Sequence, residues 1–132
     1  MFILLKQKTI IVTGGSNGMG KYMAMKFVSE GANVVITGRD IEKLESAKKE
    51  IEAYGSNIEY FQMDVRNPEH VEAMIQFTDQ KFGHIDGLVN NAAGNFIVEA
   101  EKLSPNGWKA VIDIVLNGSF YCSSAIGNYW IS

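Results

Sequence analysis

The residues best suited to chemistry come early, in Thr13-Gly14-Gly15-Ser16-Asn17-Gly18-Met19-Gly20, where an apolar run gives way to a helical pattern. Glycines at such a junction permit a tight turn and let another group approach the backbone closely. A helix beginning there offers free N–H groups and partial positive charge, which suits a pyrophosphate. The spacing Gly14-x-x-x-Gly18-x-Gly20 departs from the usual G-x-G-x-x-G fingerprint, although the mechanics are shared. Gly14, Ser16, Asn17, Gly18, Met19 and Gly20 are therefore candidate cofactor-binding residues. The bland alternative is a plain strand-to-helix turn.

About twenty residues beyond such a loop, an acid suits the ribose hydroxyls of NAD(H), whereas an arginine accommodates the 2′-phosphate of NADP(H). Here the sequence is Thr37-Gly38-Arg39-Asp40, which favours NADP(H). A guanidinium fork matches a phosphate in shape and charge. Asp40 leaves a second reading open, in which Arg39 merely forms a surface ion pair.

These residues need a scaffold, and the pattern supplies one. Apolar runs of strand length alternate with longer amphipathic runs. Strands are predicted at Thr9–Thr13, Asn33–Thr37, Asn57–Met63 and His84–Val89. Helices are predicted at Gly18–Gly31, Ile41–Tyr54 and Pro68–Phe82, with Tyr22, Met25, Phe27 and Val28 among the apolar positions of the first. Ser104-Pro105 reads as an N-cap and first helical residue, and nothing breaks the pattern from there to Ile131. That run would make a helix of about 40 Å, with Gly118 marking a close approach or a bend.

The alternation predicts an α/β fold, a Rossmann-type doubly wound parallel sheet with strand order 3-2-1-4 and helices on both faces. Residues 1–132 read as one cofactor-binding portion without repeats or linker. No fifth strand follows the long helix, so the fourth strand would be an apolar edge. The expectation is a fragment whose C-terminal part is absent.

Asp64-Val65-Arg66 closes the third strand, and Asn90-Asn91-Ala92-Ala93-Gly94-Asn95-Phe96 closes the fourth. All four strands thus deliver glycine or polar residues at their carboxyl ends, the edge at which open parallel sheets bind ligands. Hydrophobic residues make up 46% and charged residues 20%, ordinary for a globular protein, and the net charge of −3 gives no reason to expect nucleic acid as partner. The apolar N-terminus is too short for a signal peptide, and no later run is read as long enough to span a membrane. The single cysteine, Cys122, fits a reducing, cytoplasmic compartment.

Thr13-Gly14-x-x-x-Gly18-x-Gly20, Asp64-Val65, Asn90-Asn91-Ala92-Ala93-Gly94 and Asn117, in order and at these intervals, resemble the markers of the short-chain dehydrogenase/reductase family. The resemblance covers essentially the whole chain. Within that family, the segments Asn90–Phe96, Leu103–Lys109 and Asp113–Gly118 are most similar to 2,4-dienoyl-CoA reductases.

The resemblance implies an enzyme that transfers hydride from NADPH to an unsaturated fatty acyl-CoA. It implies Asp64 and Val65 at the adenine and Asn91 along the nicotinamide ribose, with Ala92 and Gly94 also at the cofactor. Asn117 would be the catalytic asparagine that positions a water and the lysine of a proton relay. Asn95 and Phe96 would border the acyl chain, and Arg66 and Ser104 would contact the CoA thioester. It also implies a homo-oligomer, dimer or tetramer, formed through the last helix.

Plainer readings stand beside these. Asn117 could bond neighbouring backbone, Arg66 could be a solvated charge, Ser104 is already an N-cap, and Phe96 could be core. His70 and His84 are expected to lie away from the crevice, Cys122 to be a core residue, and no metal site is expected. Trp108, Met23, Met25, Tyr129 and Trp130 read as core or interface residues. After Asn117 the chain has no lysine, and its tyrosines are Tyr121 and Tyr129 on the last helix. The proton donor has no candidate here, so the chain alone is expected not to turn over. Other family reductases, of 3-oxoacyl groups or of sugar alcohols, and a non-catalytic nucleotide-binding module are the alternatives.

Overall fold

The structure, a computed structural model, describes residues 4–95 and 97–132. Four strands, β1 (Thr9–Thr13), β2 (Asn33–Gly38), β3 (Ile58–Gln62) and β4 (Gly87–Val89), form one parallel sheet in the order β3-β2-β1-β4. The helices α1 (Gly18–Ser29), α2 (Ile41–Glu52) and α3 (Pro68–Phe82) connect them. The expected order and parallel sense are both present. Register places Thr13 beside Thr37 and Gly38 beside Gln62, so the strands end level with one another.

Because strand side chains alternate faces, the sheet carries two cores. Ile10, Val12, Val34 and Ile36 face α1 and α2, meeting Ala24, Val28, Leu44, Ala47 and Ile51. Ile11 and Val35 face the other way, toward Val71, Met74 and Ile75 of α3 and toward Cys122 and Ile126 near the C-terminus. Helix α1 buries small residues, Gly20 and Ala24, together with Val28, while Tyr22 is exposed. Small Gly20 and Ala24 let the helix sit close to the sheet, and Met25 and Phe27 pack against the same core.

Local signals set the helix ends. Asp40 caps α2 by accepting from the backbone N–H of Glu42 (3.0 Å) and Lys43 (3.2 Å). Asn67 caps α3 in the same manner through Glu69 and His70, with Pro68 at the first turn, and Gly83 ends that helix at φ 82°.

The final run is three pieces. Ser104 Oγ accepts from Gly107 N–H (3.0 Å) and opens α4 (Pro105–Ile112); a π turn spans Asp113–Asn117, and α5 (Gly118–Ile131) follows. A Cβ on Gly118 would stand 2.7 Å from Val65 Cγ2, so this glycine marks a close approach, directly after a change of helical pitch. Pro105–Ile131 is also long and apolar enough to cross a membrane by length and composition, with a mean hydropathy of 1.3 over its best window. This corrects the expectation that no segment reaches that measure. The window passes because charges are sparse, yet Gly118, Cys122 and Ile126 of α5 are buried against the sheet's second core.

Candidate functional site

The carboxyl ends of the strands open on a crevice of about 810 Å³. Its floor is the glycine loop, with Gly14, Ser16, Asn17, Gly18 and Met19 on its surface. Gly14 sits at φ 66°, and a Cβ there would fall 2.9 Å from Ala92 Cα. Gly20 does not line the crevice; its missing Cβ would lie 2.5 Å from Gly14 O and from Asn91 Nδ2, so it lets α1 start directly beneath the loop. Neither position has room for a side chain.

A polar latch joins this loop to the end of β4. Thr13 Oγ1 accepts from the backbone N–H groups of Asn91 (3.1 Å) and Ala92 (3.0 Å) and donates to Val89 O (3.3 Å). Asn91 Nδ2 donates to Gly14 O (3.0 Å). The first loop is thereby tied to Val89, Asn91 and Ala92, and Asn91 is the fastener as well as part of the crevice wall.

The start of α1 differs from those of α2, α3 and α4. Asn17 makes no side-chain cap, and no acid lies in the first turn of α1, whereas Asp40, Asn67 and Ser104 all cap their helices. The first amides of α1 stay available at the crevice floor, the arrangement that receives phosphate groups.

Arg39 and Lys43 line the next wall, and neither takes part in an ion pair among the described residues. Asp40, the acid beside Arg39, spends its carboxylate on the amides of α2. Gln62 Nε2 donates to Arg39 O (2.9 Å), pinning that backbone from the end of β3. Thr37, one residue behind Gly38, is buried with its Oγ1 unpartnered.

Asp64, Val65 and Met63 form the far wall, with Ile114 of the π turn above. Arg66 grips Asp64: Nη2 donates to Oδ2 at 2.6 Å, and Nε donates to Oδ1 at 3.0 Å. These hydrogen bonds hold the Asp64 carboxyl below the usual carboxylate range, and the pairing raises the Arg66 guanidinium in turn. The Arg66 side chain is thus committed to Asp64 and absent from the crevice surface.

The structure therefore gathers Gly14, Ser16, Asn17, Gly18, Met19, Arg39, Asp64, Val65, Asn91 and Ala92 around one space. Gly94 stands outside it, its missing Cβ 3.0 Å from Ile114 Cδ1, and Asn95 is exposed. Ser104 caps α4. Asn117 ends the π turn, where its Nδ2 donates to Asp113 Oδ1 (2.9 Å). Phe96 lies outside the described residues. Sequence reasoning missed Thr37, Lys43 and Gln62; the helical offset of Lys43 from Arg39 was the only signal that could have found it. His70, as expected, does not line the crevice, but its Nδ1 accepts from the backbone N–H of Asp64 on the crevice wall (3.2 Å). His84 is remote as expected, beside Gln7 and Asp86 at the opposite edge of the sheet.

The short chain dehydrogenase family profile matches residues 8–132. A probable 2,4-dienoyl-CoA reductase of Bacillus subtilis is 54% identical over 127 residues, covering 96% of this chain and 50% of the relative. A probable 2,4-dienoyl-CoA reductase 3 of Caenorhabditis elegans is 46% identical over 125 residues, covering 93% of this chain and 40% of the relative. Among solved structures, a short chain dehydrogenase from Bacillus anthracis superimposes with a TM-score of 0.91 at 63% identity, over 95% of this chain and 52% of that one. The chain thus spans about half the length of the curated relatives it matches.

Proposed function

This chain belongs to the short chain dehydrogenase family, and from that premise we propose that its crevice holds NADP(H) and that the protein carrying it reduces a 2,4-dienoyl fatty acyl-CoA. The observation that carries the cofactor reading is the uncapped start of α1 beside Arg39 and Lys43, two cations unpaired among the described residues. The substrate reading is supported by likeness to relatives named as 2,4-dienoyl-CoA reductases.

In this reading the α1 amides and the Gly14–Gly20 loop receive the pyrophosphate. Arg39, with Lys43 one helical turn on, receives the 2′-phosphate, for which Asp40 does not compete. Asp64 and Val65 border the adenine, with the carboxylate already ionised and oriented by Arg66. The bound dinucleotide supplies a hydride. Asn91 and Ala92 set the wall on the nicotinamide side, while Asn117 holds a water of the proton relay. Asn95, Phe96 and Ser104 border the acyl-CoA, and Arg66 would reach it only on leaving Asp64. Self-association of the whole protein is part of the proposal, supported by exposed Trp108, Leu116 and Phe120 along α4–α5. A cytoplasmic location belongs to it as well, resting on the lone buried thiol.

The test is NADPH oxidation by the protein that carries this chain. It is offered a 2,4-dienoyl-CoA, with NADH and a 3-oxoacyl-CoA as controls. Rapid oxidation of NADPH with the dienoyl substrate alone is the expected result. Preference for the 3-oxoacyl-CoA would move the substrate reading elsewhere in the family, and NADPH binding without turnover would favour a non-catalytic module.

A further inference from the structure

Asp64 is held on every side but one by its own loop. Its carboxylate takes the Arg66 side chain and the Arg66 backbone N–H (2.9 Å), and its carbonyl accepts from Asn67 N–H (3.0 Å). None of these reaches the N–H of Asp64 itself. Among the described residues, that group has one partner, His70 Nδ1 at 3.2 Å. His70 is the third residue of α3, a position whose side chain turns back over the helix start. To accept from an amide, Nδ1 carries no proton, so the neutral tautomer has its hydrogen on Nε2.

We infer that His70 is a positioning residue for the nucleotide crevice, whose neutral imidazole fixes the Asp64–Val65 wall and whose protonation releases it. The inference rests on reading the crevice as a dinucleotide site. On taking up a proton, Nδ1 becomes a donor facing a donor, and the amide bond is lost. The imidazolium then also competes with the adenine amino group for the Asp64 carboxylate, so both consequences weaken nucleotide binding. The charges bearing on this loop are mixed. Asp64, Glu69 beside His70, and Asp113 of the π turn are acidic, whereas Arg66, and Arg39 from the end of β2, are basic. His70 is exposed, so its replacement leaves the core intact.

The experiment is NADPH binding to the full chain between about pH 5 and 8, the range in which imidazoles change charge. Wild type is compared with His70→Ala and His70→Asn; asparagine places a non-titrating oxygen where Nδ1 stood. Near the top of that range, His70→Ala is expected to raise the Kd about three- to tenfold, the effect of one hydrogen bond, while His70→Asn stays close to wild type. As pH falls, wild type is expected to weaken relative to His70→Asn, a ratio that cancels the 2′-phosphate's own titration. Equal Kd values for wild type and His70→Ala, or a wild-type to His70→Asn ratio flat with pH, overturn the inference alone. A wild type that binds no NADPH at any pH overturns the dinucleotide reading and the inference together.

Discussion

Gly20 shows how much of the crevice depends on a missing side chain. A Cβ there would press on Gly14 O and Asn91 Nδ2, so Gly20→Ala must displace either the loop or its latch. Overpacking of this kind costs about 1–3 kcal/mol, and chemical denaturation should show that loss together with weaker NADPH binding. Cys122 offers a second check at this scale. Burial pushes its thiol up to about 11, so iodoacetamide at about pH 8 should label it slowly in the native chain and readily in denaturant. Fast native labelling would place the thiol outside the core. Arg66 supplies a third. Because Arg66 lowers the Asp64 pKa, the stability from this pair is present above the unfolded carboxylate value and lost as pH falls through the folded one. The difference between wild type and Arg66→Gln should therefore be present at neutral pH, no more than about 1 kcal/mol for so exposed a pair, and fade below about pH 4. The glycines, Arg39 and Asp64 were legible because residue type alone announces their chemistry. His70 was not, since helical periodicity says which face a residue occupies but not that a side chain near the helix start folds back onto the preceding loop.

The α4–π–α5 run positions the upper wall of the crevice at the scale of elements. Gly118 lets α5 lie against Val65, and the π turn before it brings Ile114 to the rim and leaves Asn117 braced on Asp113. Gly118→Ala should drive Val65 and its neighbour Asp64 out of place. The expected result is a stability loss of about 1–3 kcal/mol and a raised NADPH Kd; an unchanged Kd would mean that the wall does not depend on this contact. The four strands were legible from their apolar runs, with edges that differ slightly. β4 pairs over Gly87–Val89, and just before it Asp86 bonds Thr9 twice, its backbone N–H donating to Thr9 O (2.8 Å) and its carboxylate accepting from the N–H of Thr9 (2.8 Å). The π turn was illegible: Asp113–Asn117 fits a helix by composition, and lengthening the hydrogen-bonded step by one residue leaves no mark on the pattern.

The whole molecule joins two separately packed faces at a single edge, and the ligand-facing residues come from every strand end along it. That convergence could be read in the sequence because parallel connections force all four carboxyl ends to the same side. What could not be read was the distribution of charge there. Arg39 favoured NADP(H) in the sequence, but Asp40 beside it left open a surface ion pair; the structure shows the acid committed to α2 and a second cation, Lys43, on the same wall. The most direct measurement is the affinity of this chain for NADPH and for NADH, by titration, in wild type and in Arg39→Gln. The account predicts that wild type prefers NADPH by about tenfold or more, and that Arg39→Gln cuts the preference by weakening NADPH while leaving NADH unchanged. Equal affinity for the two nucleotides in wild type, or an Arg39→Gln chain that keeps the full wild-type preference, would contradict it.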